Sequence, residues 1–147
     1  MATKADFSED EWKAMQRGLT GAGMLVSVSD QDLSDSFGES SAMARFLSAQ
    51  RTVGATELMR DLGGTRGTGF GMFAKPQEVR DGTLEALRST VALLQAKAPD
   101  EVGPYRQLVL GIATSVAEAK GAVTATEEAA MQLIREALGS DESPGSA

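Results

Sequence analysis

The side chains that most often carry out catalysis are missing from this sequence. Its 147 residues include no cysteine and no histidine, so thiolate nucleophiles, an imidazole base and the usual zinc ligands are excluded. Carboxylates, lysine, serine, threonine and one tyrosine remain. No pair of acids stands out from the acids that commonly occupy the first turn of a helix. We therefore expect a protein that is not an enzyme and that uses no cofactor.

An aspartate-rich stretch is the first candidate for binding chemistry. Asp30, Asp32 and Asp35 lie close together, and hard cations such as Ca²⁺ prefer several carboxylate oxygens. The spacing does not fit an EF-hand loop. Counted from Asp30, Asp35 stands where that loop needs glycine and Ser41 where it needs the closing glutamate. Such acids also keep a polar loop soluble without binding a cation, so both interpretations remain.

A glycine-rich run at residues 63–71 is the second candidate. It reads Gly-Gly-Thr-Arg-Gly-Thr-Gly-Phe-Gly, and glycine loops that precede helices can bind phosphate groups. The run lacks the Gly-Lys-Ser/Thr ending of a nucleotide-binding loop, and no buried strand is predicted before it. A connector between helices is the better interpretation.

The charge balance disfavours nucleic acids and anionic membranes as partners. The chain has 14 basic and 21 acidic residues, with a net charge of −7, and its basic residues are scattered singly, whereas phosphate backbones favour clustered lysine and arginine. No apolar run approaches the roughly 20 residues that span a bilayer, and no secretory signal pattern is present. We expect a cytoplasmic, bacterial-type protein whose partner is another protein.

Apolar residues recur at helical spacing along most of the chain. The first helix opens with Ser8 and Glu11 in the pattern of a capping box. Its apolar stripe is interrupted by Gly18, Gly21 and Gly23. Glycine costs about 1 kcal/mol against alanine inside a helix. Three glycines so close together therefore predict that a neighbouring helix approaches closely.

The sequence as a whole predicts an all-α fold, because no segment shows the period-two alternation of a strand. We expect a compact bundle of about six helical segments, in a single domain at residues 7–139. Residues 1–6 and 140–147 are predicted to be flexible tails. Trp12 and Tyr105 lie on apolar stripes, so we expect Trp12 in the core and Tyr105 buried with its hydroxyl at the edge.

The first and last helix pairs share a pattern. Trp12, Met15, Gly18 and Leu19 match Tyr105, Leu108, Gly111 and Ile112 at a constant offset of 93 residues. Glu39, Ala42, Met43 and Phe46 match Glu127, Ala130, Met131 and Ile134 at an offset of 88. Either an internal duplication of a helix-loop-helix unit or a chance agreement between amphipathic helices explains these matches.

A set of short motifs follows in a fixed order. They are Glu11-Trp12, Glu39-Ser40, Leu93-Leu94-Gln95-Ala96-Lys97-Ala98-Pro99, Val116-Ala117-Glu118-Ala119 and Val123-Thr124-Ala125-Thr126-Glu127. Their order and spacing, over nearly all of residues 6–139, resemble uncharacterised bacterial members of the TerB-like domains of tellurite-resistance and related proteins. The resemblance implies a compact helical domain, often duplicated internally. It also implies a link to stress-associated systems and a role in metal sensing or protein binding rather than catalysis.

The same resemblance implies an acidic cluster between the helices. In better-known members, an Asp-Gly in each loop and the glutamate that starts each following helix gather carboxylates suited to divalent cations. The corresponding candidates here are Asp30, Asp32, Glu39, Glu118 and Glu127. Lys120, however, stands before Gly121 where the family pattern has aspartate, and a lysine repels a cation.

Two hypotheses follow for the function. The first is a non-catalytic module that binds another protein, and it predicts an exposed apolar patch between the two halves. The alternative is a divalent-metal sensor, which requires that the five candidate carboxylates converge in space.

Overall fold

The computed structural model describes residues 2–29, 36–66, 75–119 and 125–139, and the side chains of residues 28, 29 and 36–41 lie outside this description. Every regular element among the described residues is helical, which confirms the all-α prediction. The helices are α1 (Glu9–Ser29), α2 (Ser36–Val53), α3 (Glu57–Leu62), α4 (Pro76–Lys97), α5 (Val102–Glu118) and α6 (Ala125–Leu138). Short 3-10 turns occupy Lys4–Asp6 and Pro99–Glu101. None of the described helices is both long and apolar enough to cross a membrane.

Most helix ends follow local signals in the sequence. The Ser8 backbone N–H donates to Glu11 Oε1 over 2.7 Å, and the Glu11 N–H donates to Ser8 Oγ over 3.1 Å, which completes the predicted capping box. Helix α4 begins at Pro76, because proline suits the first position of a helix, and it ends before Pro99, because the residue ahead of a proline is disfavoured in a helix. Gly139 follows α6 with a φ of 69°, the left-handed conformation that commonly ends a helix.

Two helices begin earlier than the sequence predicts. Proline commonly occupies the first position of a helix, which predicts a start at Pro104. Helix α5 starts at Val102 instead, because the 3-10 turn Pro99–Glu101 leads directly into it. Pro104 is tolerated inside the first turn, where backbone N–H groups have no partner within the helix. Helix α2 starts at Ser36, ahead of the Glu39 that the sequence places at its beginning.

A turn of 3-10 helix lies in the segment before α1, which the sequence assigns to a flexible tail. The Thr3 N–H donates to Asp6 Oδ2 over 2.8 Å, and Lys97 Nζ lies 3.5 Å from the Asp6 carbonyl oxygen. Lys4 Nζ lies 5.3 Å from the centre of the Trp12 ring, which is buried as expected. These contacts connect the N-terminal turn to α1 and to the end of α4.

One hydrophobic core connects all six helices of the described chain. Helix α1 packs against α2, α4, α5 and α6, and α4 covers more of it than any other helix does. The largest fully buried side chains are those of Tyr105, Met15, Leu19, Leu58, Met59, Leu62, Leu87, Leu94, Ile112, Ile134, Leu138 and Glu127. Apart from Tyr105 and Glu127, these side chains are those of leucine, isoleucine and methionine.

The glycines of α1 allow its neighbours to approach closely, as predicted. A Cβ atom on Gly18 would lie 2.6 Å from the Tyr105 hydroxyl oxygen and 3.0 Å from Leu87 Cδ2. A Cβ atom on Gly21 would collide with the side chain of Thr83. At Gly18 and Gly21, therefore, α4 and α5 lie so close to α1 that no side chain fits between the helices.

The position of the Tyr105 hydroxyl differs from the sequence prediction. It does not lie at the edge of the core: Tyr105 is fully buried, and its hydroxyl donates to the Met15 carbonyl oxygen over 2.9 Å. Burial raises the pKa of Tyr105 above its usual value, and the neighbouring Thr90 hydroxyl opposes part of that rise. The prediction was wrong because Gly18 leaves space for the hydroxyl against the α1 backbone.

Candidate functional site

The predicted acidic cluster falls only partly on described residues. Asp30 and Asp32 lie outside them, and so does the side chain of Glu39. Glu118 is exposed at the end of α5, whereas Glu127 is fully buried in the first turn of α6. Within residues 2–29, 36–66, 75–119 and 125–139, no three acidic side chains come together in a way that could hold a metal ion. The metal-sensor hypothesis stays a prediction.

A groove with an uncharged, mixed polar and apolar lining lies between α2 and α5, and residues around α3 close one end of it. Its volume is about 250 Å³. The residues that line it are Phe46, Gln50, Val53, Ala55, Met59, Pro104, Gln107, Leu108 and Gly111. The groove thus lies between the first and the last helix pairs, where the protein-binding hypothesis expects an apolar patch.

The groove has a buried apolar floor and a mixed rim with one exposed large apolar side chain. Met59 and Leu108 are almost completely buried and form the floor. Val53, at the end of α2, is 68% exposed, and no other large apolar side chain among the described residues is exposed to this degree. Contact with water is unfavourable for such a side chain, so this rim would gain stability from being covered.

Gly111 determines the shape of the groove. A Cβ atom at this position would lie 2.7 Å from Phe46 Cζ, so only a glycine lets the Phe46 ring rest on α5 in its present position. The sequence contains one signal for this contact, the match between Gly111 and Gly18. That match indicates close helix packing, but it does not identify Phe46 as the neighbour.

The chemistry of the groove lining suits a protein segment better than a metal or a cofactor. None of its lining side chains titrates, and the polar ones are the amides of Gln50 and Gln107. An amide both donates and accepts hydrogen bonds, as a peptide backbone does. The volume also lies below the roughly 300–1,000 Å³ of typical small-molecule sites. The space suits one or two apolar side chains of a partner.

A wider cleft of about 710 Å³ lies beside the N-terminal turn, at the corner between α4 and α5. Its buried carboxylate, Glu101, accepts a hydrogen bond of 2.7 Å from the Thr56 hydroxyl, and Thr56 also caps α3. Lys97 Nζ, on the same cleft, pairs with Glu11 Oε1 over 3.0 Å. These groups hold α1, α3, α4 and the turn before α5 together, which is a structural role.

These contacts change the pKa of the Glu11 carboxyl group. The backbone N–H of Ser8 lowers the pKa of Glu11 below its usual value, and the Lys97 ammonium lowers it further. Both partners stabilise the charged carboxylate. The pair therefore supports the packing of α1 against α4 at neutral pH.

A third pocket, of about 430 Å³, lies between the end of α1 and the beginnings of α4 and α6. Leu25, Leu133 and Pro76 supply apolar walls, and Arg80 lies at its edge. The chain segments that adjoin these helix ends, residues 30–35, 67–74 and 120–124, lie outside the described residues.

No family model, no curated protein and no solved structure matches this chain. Support for the all-α bundle therefore comes from the structure itself. The resemblance to TerB-like domains stays a prediction that rests on the sequence motifs.

Proposed function

We propose that this chain is a non-catalytic helical module that binds a partner protein through the groove between α2 and α5. The observation that carries the proposal is the uncharged lining of this groove, with a buried apolar floor and Val53 68% exposed at its rim. The setting we propose, a bacterial cytoplasm and a stress-associated system, comes from the sequence and its resemblance alone.

Apolar burial would supply the binding energy. Covering apolar surface contributes roughly 25 cal/mol per Å², and protein interfaces concentrate their energy where a few side chains fill well-packed pockets. Met59 and Leu108 offer such a floor, and Gln50 and Gln107 can hydrogen-bond to the backbone of the inserted segment. The absence of any titratable side chain from the lining supports a role without catalysis.

The variant Val53→Lys tests this proposal. Position 53 is exposed at the C-terminal end of α2, where a cation suits the helix dipole, so we expect the fold to tolerate lysine. The charge would have to be buried when a partner covers the rim, so we expect affinity to fall about tenfold or more. Ala92→Lys, at an exposed position of α4, is the matched control.

The measurement compares three immobilised chains: the wild type, Val53→Lys and Ala92→Lys. Proteins retained from a bacterial extract by the wild type and the control, but lost from Val53→Lys, are purified and titrated against each chain by calorimetry. Circular dichroism and the Tm establish that each variant is folded. Equal affinity of every retained protein for the wild type and Val53→Lys would exclude the groove as the binding site.

A further inference from the structure

The wide cleft beside the N-terminal turn has an acidic lining. Its charged lining residues are Asp6, Lys97, Asp100 and Glu101. The segments that surround it, residues 2–13, 56–62 and 97–101, contain eight acidic and four basic residues. A cleft in which one sign of charge dominates attracts ligands of the opposite sign. This corner of the molecule therefore favours a cationic ligand.

The Lys97 ammonium does not neutralise the carboxylates of the cleft. Its Nζ pairs with Glu11 Oε1 over 3.0 Å, and it lies 3.5 Å from the Asp6 carbonyl oxygen and 5.6 Å from the centre of the Phe7 ring. Glu11 is not one of the lining residues. None of the three lining carboxylates forms a salt bridge with a cation of the described chain. Their negative charge therefore remains to attract a ligand.

Glu101 is the carboxylate whose surroundings point most directly to a ligand. It is only 4% exposed, and a buried glutamate usually has a charged partner. The Thr56 hydroxyl donates to Glu101 Oε2 over 2.7 Å, which joins α3 to the turn before α5 but supplies no positive charge. A carboxylate accepts several hydrogen bonds, so Glu101 keeps acceptors for a second donor. Because Glu101 also lines the cleft, a cation in the cleft would supply that donor and the opposite charge.

The shape and the lining of the cleft suit an elongated organic cation better than a metal ion. Within the described chain, no three acidic side chains come together closely enough to hold a metal. The volume of about 710 Å³ lies within the roughly 300–1,000 Å³ of small-molecule sites. The apolar part of the lining is formed by Ala2, Phe7, Ala98 and Pro99. Separated carboxylates with apolar surface beside them match a ligand whose ammonium groups are joined by an alkyl chain.

We propose that this cleft binds a linear aliphatic polyamine. One ammonium group pairs with Glu101, the exposed carboxylates of Asp6 and Asp100 attract a second, and the alkyl chain lies against the apolar part of the lining. The cleft shares no lining residue with the groove between α2 and α5. The inference therefore goes beyond the proposed function, and each can fail without the other.

Calorimetric titration of the full-length chain with spermidine at low salt tests the inference. Glu101→Gln removes the buried charge and keeps an acceptor for the Thr56 hydroxyl, and Asp100→Asn removes an exposed charge. Glu85→Gln, at an exposed position of α4 outside the cleft, is the matched control because it changes the net charge equally. Butylamine and Nα-acetyl-lysine amide, which each have a single ammonium group, replace spermidine in parallel titrations. Circular dichroism and the Tm establish that each variant is folded.

We expect the wild type and Glu85→Gln to bind spermidine with equal affinity. Glu101→Gln should bind it about tenfold or more weakly, because a buried ion pair is lost. Asp100→Asn should bind it about two- to five-fold more weakly, as expected for an exposed ion pair, and this loss should shrink at high salt. The two monoamines should bind the wild type about fivefold or more weakly than spermidine does, because they lack the second charge.

Several results would overturn the inference. The first is that spermidine does not bind the wild type, and the second is that Glu101→Gln and Glu85→Gln bind it equally, which would show a response to net charge alone. Nα-acetyl-lysine amide that binds as tightly as spermidine would make the lysine side chain of another protein the ligand instead of a polyamine. If Glu101→Gln does not fold, Asp100→Asn decides the question, and an affinity equal to that of Glu85→Gln would exclude the cleft.

Discussion

Gly18 on α1 and Gly111 on α5, which correspond in the sequence, have different surroundings in the fold. Gly18 is buried beneath Leu87 of α4 and the Tyr105 hydroxyl. Gly111 meets the Phe46 ring and remains at the wall of an open groove. Both glycines permit close packing, so the difference comes from what covers them. A long helix seals the first position, whereas the end of α2 and the short α3 leave the second partly open.

The covered face of α1 continues beyond Gly18. Helix α4 runs antiparallel along it, so that Thr83 lies against Gly21 and Lys97 pairs with Glu11. At the offset of 93 residues, the position on α5 that corresponds to Glu11 is Pro104, which lines the groove. Helix α4 covers one face of α1. The groove lies along the face of α5 that corresponds to it at this offset. Among the described residues, α4 covers this face of α1 along its length, whereas the corresponding face of α5 is left partly open.

The largest effect should come from removing the covering side chains. Leu87→Ala leaves a cavity over Gly18 in the fully buried interface, so we expect a loss of about 2–5 kcal/mol in the free energy of unfolding. Phe46→Ala should cost distinctly less, because the Phe46 ring is only half-buried. Urea unfolding of both variants measures the difference. Equal losses would show that the groove is as tightly packed as the α1–α4 interface.

Replacing each of these two glycines with alanine should show the same difference between the two regions, through smaller changes in the free energy of unfolding. In Gly18→Ala the new methyl group meets a buried, hydrogen-bonded hydroxyl, so we expect overpacking to cost about 1–3 kcal/mol, offset by about 1 kcal/mol of helix propensity. In Gly111→Ala the Phe46 ring can move into the groove, so stability should stay unchanged or rise. Urea unfolding is again the measurement. If Gly111→Ala lowered the free energy of unfolding while Gly18→Ala left it unchanged, the contact at Gly111 would be the more tightly packed of the two.

The hydroxyl that fills the space at Gly18 can be removed by Tyr105→Phe. This variant loses the hydrogen bond to the Met15 carbonyl oxygen, which should cost about 0.5–1.5 kcal/mol at neutral pH. Burial raises the pKa of Tyr105 in the folded chain. The neutral Tyr105 hydroxyl therefore contributes its full stability below the pKa of about 10 that tyrosine has in the unfolded chain. This contribution is lost as the pH rises above that value.

Urea unfolding at neutral pH and above about pH 10 tests the Tyr105 prediction. The gap in stability between the wild type and Tyr105→Phe should narrow or reverse at the higher pH, because phenylalanine does not ionise. A gap that stays constant with pH would mean that the Tyr105 hydroxyl titrates normally and is not enclosed by α1.

The smallest effect is expected from divalent cations, which would bind acids contributed by both helix pairs. Lys120 stands where the family pattern has an aspartate ligand, and a lysine repels a cation. We expect no change in Tm when Ca²⁺, Mg²⁺, Mn²⁺ or Zn²⁺ is added after EDTA treatment. A bound cation at a hundredfold excess over its Kd would add about 2.7 kcal/mol. Such a gain, abolished by Glu39→Ala or Glu127→Ala, would support the metal-sensor alternative instead.

Local patterns in the sequence predict much of the fold. The Ser8–Glu11 capping box, the start of α4 at Pro76 and the stop at Gly139 all depend on neighbouring residues, so the sequence defines them directly. The glycines of α1 also predicted close packing correctly. These features need no knowledge of how distant segments meet.

The candidate site depends on contacts between distant parts of the chain and could not be predicted in the same way. Phe46 and Gly111 come together only because α2 packs on α5, and Val53 is exposed because no other helix of the described chain covers the end of α2. The sequence marked Gly111 by its match to Gly18, but a periodic pattern cannot show which helix lies opposite. The Tyr105 hydroxyl was misplaced for the same reason.

The N-terminal turn gives this protein an optical reporter at one corner of the bundle. Trp12 is the single tryptophan of the chain, and it is buried with the Lys4 ammonium over its ring. Its fluorescence emission therefore responds to solvent entry beside the turn at Lys4–Asp6, while circular dichroism follows all the helices together. A red shift of the emission that precedes the loss of helical signal during unfolding would show that this corner opens first.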